Sequence, residues 1–224
     1  MRHSIHPAVR ILPPGIGLEE LERGVAPDSS GLLHADHAIV TATPEAISLG
    51  ADGGEAPGLA LRKTITVGGG RRDPHLTLEV ELQNIGTRPI AGRLAIEWSV
   101  NLLGGGNPEA WLEIAGERRA FDTRGEIAAT DRLRFGNDWL ELTVEQQASG
   151  GAALWWYSVD TVAASEQGVE RSHQGICLIW SWPLDLSPGA SEHVSVSSRV
   201  TVARDRAEED VPAGSDASIV GRRR

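Results

Sequence analysis

The sequence predicts an all-β protein of the sandwich or barrel kind. Short runs of alternating apolar and polar residues recur from Leu32 onward, with Gly-, Pro-, Asn- and Asp-rich turns between them. No stretch places apolar residues at i, i+3, i+4 and i+7 over three turns, so helices should be few and short. No fixed-period repeat is present, which argues against a propeller or solenoid.

Taken in order, residues 1–30 carry Pro7, Pro13, Pro14, Gly15, Gly17, Gly24 and Pro27, which break any long element. They are expected to form an arm or linker with at most a short helix at LEELERG. Residues 31–203 make the β domain, with roughly ten to twelve strands. The clearest is LTLEVELQ, where Leu76, Leu78, Val80 and Leu82 fall on one face and Thr77, Glu79, Glu81 and Gln83 on the other. One face meets a core and the other meets water. The pattern returns in WLELTVEQ (139–146) and in HVSVSSRVTV (193–202). Turns are expected at VGGGRRDP, NIGTRP, LLGGGNPE and LSPGASE, whose residues supply positive or preset φ. Residues 204–224 are charged and small, too poor in apolar side chains to join a core, and read as a disordered tail.

A chain of 224 residues with 40% hydrophobic and 23% charged content can bury one large core. Its net charge of -10 repels a phosphate backbone, so nucleic acid is not an expected partner. No run of about 18 apolar residues points to a membrane, and the start lacks the apolar core of a signal peptide. Both absences predict a cytoplasmic protein. The single cysteine, Cys177, lies in the apolar run GICLIW and reads as a small buried hydrophobe.

Few motifs carry chemistry. VGGGRR and LGGGNP lack the Lys-Ser/Thr of a phosphate loop and read as hairpin turns. His34 and His37 fall on opposite faces of a strand, so no metal site is expected, and no cofactor motif is present. No G-x-S-x-G nucleophile elbow occurs. The segment TVAASEQGVERSHQG (161–175) gathers Glu166, Glu170, Arg171, His173 and Gln174 between two Trp-rich runs. Glu166 and Glu170 suggest a glycosidase pair, but four extended residues span about 13 Å, beyond the roughly 5 to 9.5 Å such mechanisms use. A solvated charged turn is the other reading.

Seven tryptophans stand against two phenylalanines and one tyrosine. A buried indole N–H needs a partner, while an exposed indole face suits the C–H face of a sugar. The runs WWY and IWSWP put Trp155 with Tyr157, and Trp180 with Trp182, each pair on one face, with Trp156 opposite Trp155. Core and sugar platform both remain open.

The succession LALRKTITVGGG, LTLEVELQN, IAGRLAIEWSVNLLGGGN, FGNDWLELTVE, TVAASEQGVERSHQG and IWSWPLDLSPGASE resembles the C-terminal domain of α-amylase/4-α-glucanotransferase enzymes of glycoside hydrolase family fifty-seven. The sharpest likeness is to that family's P-I-E-T-V, S-x-S-E-G-G-F-E-R and Q-G elements. Thr161, Val162, Ser165, Glu166, Gly168, Glu170, Arg171, Gln174 and Gly175 fit it, while Ser158, Val159 and Asp160 replace its Pro-Ile-Glu. The resemblance covers about residues 32–202. It implies a galactose mutarotase-like two-sheet β-supersandwich without the catalytic barrel, which by itself requires on the order of 200 residues.

The function so implied is a non-catalytic, carbohydrate-associated sandwich that binds α-glucan or maltooligosaccharide, or docks onto a separate catalytic barrel subunit. Candidate contacts are Trp98, Asn101, Trp156, Glu166, Glu170, Arg171, His173 and Gln174, with no catalytic residue assigned. A mutarotase-like epimerase using His173 with Glu166 or Glu170 as acid and base is the alternative. A remnant of a split gene, betrayed by self-association through apolar patches, is a third.

Overall fold

The computed structural model describes residues 7–33, 35–52, 58–71, 73–103, 108–165 and 168–202, so the expected tail at 204–224 lies outside them. Its elements in chain order are β1 (Ala8–Leu12), α1 (Leu18–Glu22), β2 (Ala38–Ala42), β3 (Ala46–Asp52), β4 (Leu59–Gly68), β5 (His75–Asn84), β6 (Ile90–Val100) and β7 (Ala110–Ile114). Then follow β8 (Glu117–Ala120), β9 (Gly125–Ile127), β10 (Arg132–Asn137), β11 (Leu142–Ala148), β12 (Ala153–Ser165), β13 (Gly168–Leu186) and β14 (Ser191–Val202). A five-stranded sheet in the order β1-β6-β13-β12-β9 faces a nine-stranded sheet in the order β2-β3-β4-β5-β14-β11-β10-β7-β8. This is the all-β, two-sheet sandwich that the pattern predicts.

Alternation decides what each face meets. In β5, Leu78, Val80 and Leu82 are fully buried and the intervening Glu79, Glu81 and Gln83 are exposed. They meet Leu94, Ile96, Leu154, Leu178 and Trp180 of the smaller sheet in one continuous core. Full burial of such side chains is worth about 1.5 to 3 kcal/mol each. The four expected turns all fall between strands: after β4, β5, β6 and β13. Asn84 fastens two of them, its Nδ2 donating to the carbonyls of Arg88 and Leu186 while its Oδ1 accepts from the Gly86 N–H. The alternation in WLELTVEQ starts later than the sequence implies, because Glu141 adopts a positive φ of 53° and β11 begins at Leu142.

The N-terminal segment, expected as an arm or linker, contributes a strand to the small sheet. Between Pro7 and Pro13 the run AVRIL forms β1, pairs with β6 from Ala8↔Glu97 to Leu12↔Arg93, and buries Ile11 and Leu12 completely. Helix α1, at the expected place, then lays Leu18 and Leu21 over the outer face of the small sheet, against Trp155, Cys177 and Ile179. Burial there pushes the Cys177 thiol pKa up, so it stays protonated and unreactive.

Lys63 is the sole charged side chain that is buried among the described residues. It points inward from β4 and its ammonium donates to the Pro7 carbonyl at 3.3 Å, which ties the segment before β1 to the large sheet. Burial lowers its pKa. No helix among the described residues is long and apolar enough to cross a membrane.

Candidate functional site

The polar stretch from Thr161 to Gly175 turns out to be the outer half of the hairpin between β12 and β13, the two longest strands. Its base is set by a bulge. Val159 pairs with Gly175 but Asp160 pairs with His173, so Gln174 is the extra residue. Gly175 permits this: its φ is 150°, and a Cβ there would overlap the carbonyl oxygen of Val100. Asn101 holds the bulge in place by donating from Nδ2 to the Gln174 carbonyl at 2.7 Å.

Beyond the bulge the hairpin leaves the sheet. Strand β6 ends its pairing with β13 at Val100↔Ile176, and β9 pairs with β12 over Leu154–Trp156 alone. Among the described residues no third strand pairs with β12 or β13 between Asp160 and His173; exposed Val162 (68%) sits on this ribbon, and Val159 (38%) lies just before the bulge. Glu170, Arg171 and Gln174 are exposed as well.

At the root of the ribbon, four predicted or neighbouring polar residues converge. Ser158 Oγ lies 2.8 Å from His173 Nδ1 and 3.2 Å from both Asp160 carboxylate oxygens, and Arg171 Nε donates to Asp160 at 2.9 Å. Burial raises the Asp160 pKa, but hydrogen bonds from Arg171 and Ser158 and the charge of Arg171 outweigh it and hold the carboxyl below its ordinary range. The order of contacts is not that of a hydrolase triad. Serine and aspartate both crowd one ring nitrogen, Nδ1, while Nε2 is buried without a hydrogen-bond partner among the described residues and the ring packs edge-on against Phe121. His173 thus meets the cluster through Nδ1. The cluster ties β12 to β13 at the root of the ribbon, and the His173 ring against Phe121 is its contact beyond the hairpin. Glu166 lies outside the described residues.

The tryptophans resolve into core and surface. Trp156 is 3% exposed, its Nε1 donates to Thr123 Oγ1 at 3.3 Å, and it packs over Gly125, so the platform reading is corrected at this residue. Trp180 and Trp182 share that inter-sheet core, with N–H partners at Gln146 Oε1 and the Ser149 carbonyl. Trp98 packs partly buried against it, its indole nitrogen enclosed without a partner among the described residues. Trp155 belongs to the outer cluster under α1. Trp139 alone is open to solvent, at 72%, in the turn between β10 and β11.

A second feature escaped the sequence reading. The outer face of the nine-stranded sheet holds a groove of about 570 Å³ across β5, β14, β11 and β10. Hydroxyl and amide side chains floor it, among them Thr77, Thr143, Gln147, Ser197 and Thr201. Charged walls come from His75, Arg134, Glu145 and Arg199. Pairing aligns these residues across strands, as in Thr77↔Ser197↔Gln147, and sequence periodicity shows only that each strand has a polar face. The signal available beforehand was the run of Ser and Thr in β14.

With the geometry in place, comparisons with known proteins locate the chain. The family model described as alpha-amylase/4-alpha-glucanotransferase, C-terminal, matches residues 6–196. Alpha-amylase 1 of Dictyoglomus thermophilum is 26% identical over 116 residues, which are 52% of this chain and 17% of that protein. The crystal structure of 4-alpha-glucanotransferase from Thermococcus litoralis superposes with a TM-score of 0.67 at 12% identity, over 89% of this chain and 27% of that one. A putative aldose 1-epimerase from Escherichia coli K12 superposes with a TM-score of 0.61 at 12% identity, over 89% of this chain and 80% of the other. At such identity these structures report the fold, a galactose mutarotase-like sandwich. The chain spans less than a third of the length of the amylase and of the glucanotransferase.

Proposed function

The chain belongs to the α-amylase/4-α-glucanotransferase C-terminal family, and from that premise we propose that it is a non-catalytic, carbohydrate-associated module docking onto a catalytic barrel that acts on α-glucan. The β12–β13 ribbon is its docking arm. The observation that carries this is the ribbon from Asp160 to His173, which projects past β6 and β9 with no third strand paired to it among the described residues, with Val162 exposed on it and Val159 part-exposed at its base. A two-stranded ribbon by itself is marginally stable in water, and apolar side chains held out on it gain by being covered. Bonds among Ser158, Asp160, Arg171 and His173 hold the two strands of the ribbon together, which lowers the ordering cost of association. The amylase and the glucanotransferase that this chain resembles are longer than it and carry catalytic names, which supports a barrel of that class as the partner.

The test places a photo-crosslinking amino acid at Val162, and in a separate protein at Glu79 on the large sheet, with adducts formed in the native host and identified by mass spectrometry. An adduct to an α-glucan-acting barrel from position 162 and not from 79, whether in another polypeptide or the same one, supports docking through the ribbon. Equal labelling from both positions, or no such barrel at 162, refutes it.

A further inference from the structure

We propose that β2, the outermost strand of the nine-stranded sheet, pairs antiparallel with β2 of a second copy of this chain, across a two-fold axis at Val40. The ribbon belongs to the other sheet, so this contact and docking through the ribbon stand or fall separately.

An open strand edge invites another chain, and proteins normally cover, shorten or charge it. Apart from the ribbon, the two sheets have four such edges among the described residues, and three are protected. Along β1, Ser29 N–H donates to the Ile11 carbonyl and Ile11 N–H to Asp28 Oδ1, so the segment that follows α1 lies over its free side. Strand β9 is only three residues long. Strand β8 reads ERRA, with Arg119 paired to Glu117 and Arg118 to Asp138. Strand β2 is neither covered nor charged. It reads AIVTA and all five of its residues are exposed, Ile39 to 65% and Val40 to 47%.

The edge suits a strand like itself. Across the two-fold, Ala38 meets the mate's Ala42, Ile39 meets its Thr41, and Val40 meets its own counterpart. Small residues thus face small ones and β-branched residues face β-branched ones, the cross-strand pairs that stabilise a sheet. No charged side chain enters the new ladder, although each copy carries a net charge of -10. A slip of one residue toward the turn would bring Asp36 opposite Glu45, acid against acid. Val40 has a further reason to sit on the axis. Ile39 pairs with Leu49 and Thr41 with Ser48, so Val40 is the extra residue of a bulge and has no partner in β3.

The hairpin that presents β2 is already ordered. Thr43 N–H donates to the Ala46 carbonyl at 2.8 Å, Ala46 N–H donates to Thr43 Oγ1 at 3.0 Å, and β3 pairs with β4 along its whole length from Ala46 to Asp52. Little ordering is left for the moment of association. The contact is isologous and closes at two copies, because each β2 has a single free side. A five-residue strand, about 17 Å long, is a small patch beside the roughly 1,200–2,000 Å² of stable interfaces. The dimer is therefore weak, with a dissociation constant on the order of 100 μM.

Sedimentation equilibrium of the whole chain, from about 5 μM to about 1 mM to bracket a contact of this size, tests this. Val40→Lys and Val40→Glu each set like charges across the axis; the position is on the surface, and unfolding midpoints check that both variants fold. Dimers are expected for the parent, with association weakened by at least about tenfold in either variant. An equimolar mixture of the two variants should recover the dimer, because lysine then faces glutamate; a mere loss of apolar surface would not be repaired by mixing. A parent that stays monomeric over the whole range, dimers untouched by both substitutions, or a mixture no more associated than its components would overturn the proposal. Dimers lost on Val162→Lys and kept on Val40→Lys would move self-association to the ribbon and overturn it as well.

Discussion

Replacing Trp156 by alanine separates a core tryptophan from a sugar platform, and the structure sets the size of the effect. The side chain is 3% exposed and faces the inter-sheet core, so its loss opens a cavity bounded by Gly125 and the neighbouring strands. Trp→Ala substitutions of this kind cost about 3 to 5 kcal/mol. The hydrogen bond to Thr123, worth about 1 kcal/mol net, is included in that loss rather than added to it. A loss of about 4 kcal/mol is a large part of the roughly 5 to 15 kcal/mol that keeps a domain folded. At about 2 to 4 °C per kcal/mol for a chain of this size, the melting temperature falls by about 8 to 16 °C. The assay is chemical denaturation followed by far-UV circular dichroism, with Trp156→Phe alongside; phenylalanine keeps most of the ring volume and should recover more than half of the loss. A Trp156→Ala protein within about 1 kcal/mol of the parent that had nonetheless lost affinity for maltoheptaose would refute the core assignment and restore the platform.

Two further substitutions probe the ribbon root and the buried lysine. Gly175→Ala forces an L-residue into a φ of 150° and onto the Val100 carbonyl, which should cost about 2 to 3 kcal/mol in urea denaturation, and Asn101→Ala, losing one exposed hydrogen bond, about 1 kcal/mol at most. Equal costs would mean that the bulge is not held by the glycine. Lys63 has a lowered folded pKa, so between that value and the ordinary lysine pKa of about 10.4 the unfolded chain binds more protons and stability rises with pH. Lys63→Met should therefore raise the urea midpoint at pH 7, and its advantage over the parent should shrink as pH climbs toward 10. An advantage that stayed constant or grew would show that burial does not govern this amine.

Strands buried on one face were readable because burial and periodicity coincide. LTLEVELQ became β5 with the predicted faces, and the parity of Trp155, Trp156 and Tyr157 held, since Trp156 enters the inter-sheet core while Trp155 and Tyr157 border the outer cluster. What periodicity cannot supply is which of two apolar faces lies inside, because the small sheet is covered on both sides, by the large sheet and by α1. Strand β1 was hidden for a different reason. Its five residues lie between Pro7 and Pro13 in a segment whose composition signals breakage, and their pairing with β6 is a contact across 80 and more residues that no local pattern encodes. Strands β8 and β9, four and three residues long, are below the length at which alternation can be counted.

The site shows the same division between residue type and residue position. Tryptophan excess left core and sugar platform both open, and the clustered pairs Trp155–Trp156 and Trp180–Trp182 drew attention because they flank the polar stretch. Clustering is the weaker signal: a pair inside an apolar strand run is where packing needs indoles, and those four are at most 7% exposed. The better signal was local context. Trp139 follows Asn137 and Asp138, both turn formers, so its position predicts a surface indole even without coordinates, and a Trp that water can reach is the one that a ligand can reach. Polar segments follow the opposite logic. Arg171 and His173 were candidate contacts in the sequence, and in space they bond with Asp160 and Ser158, which sequence reading noted only as departures from the family pattern.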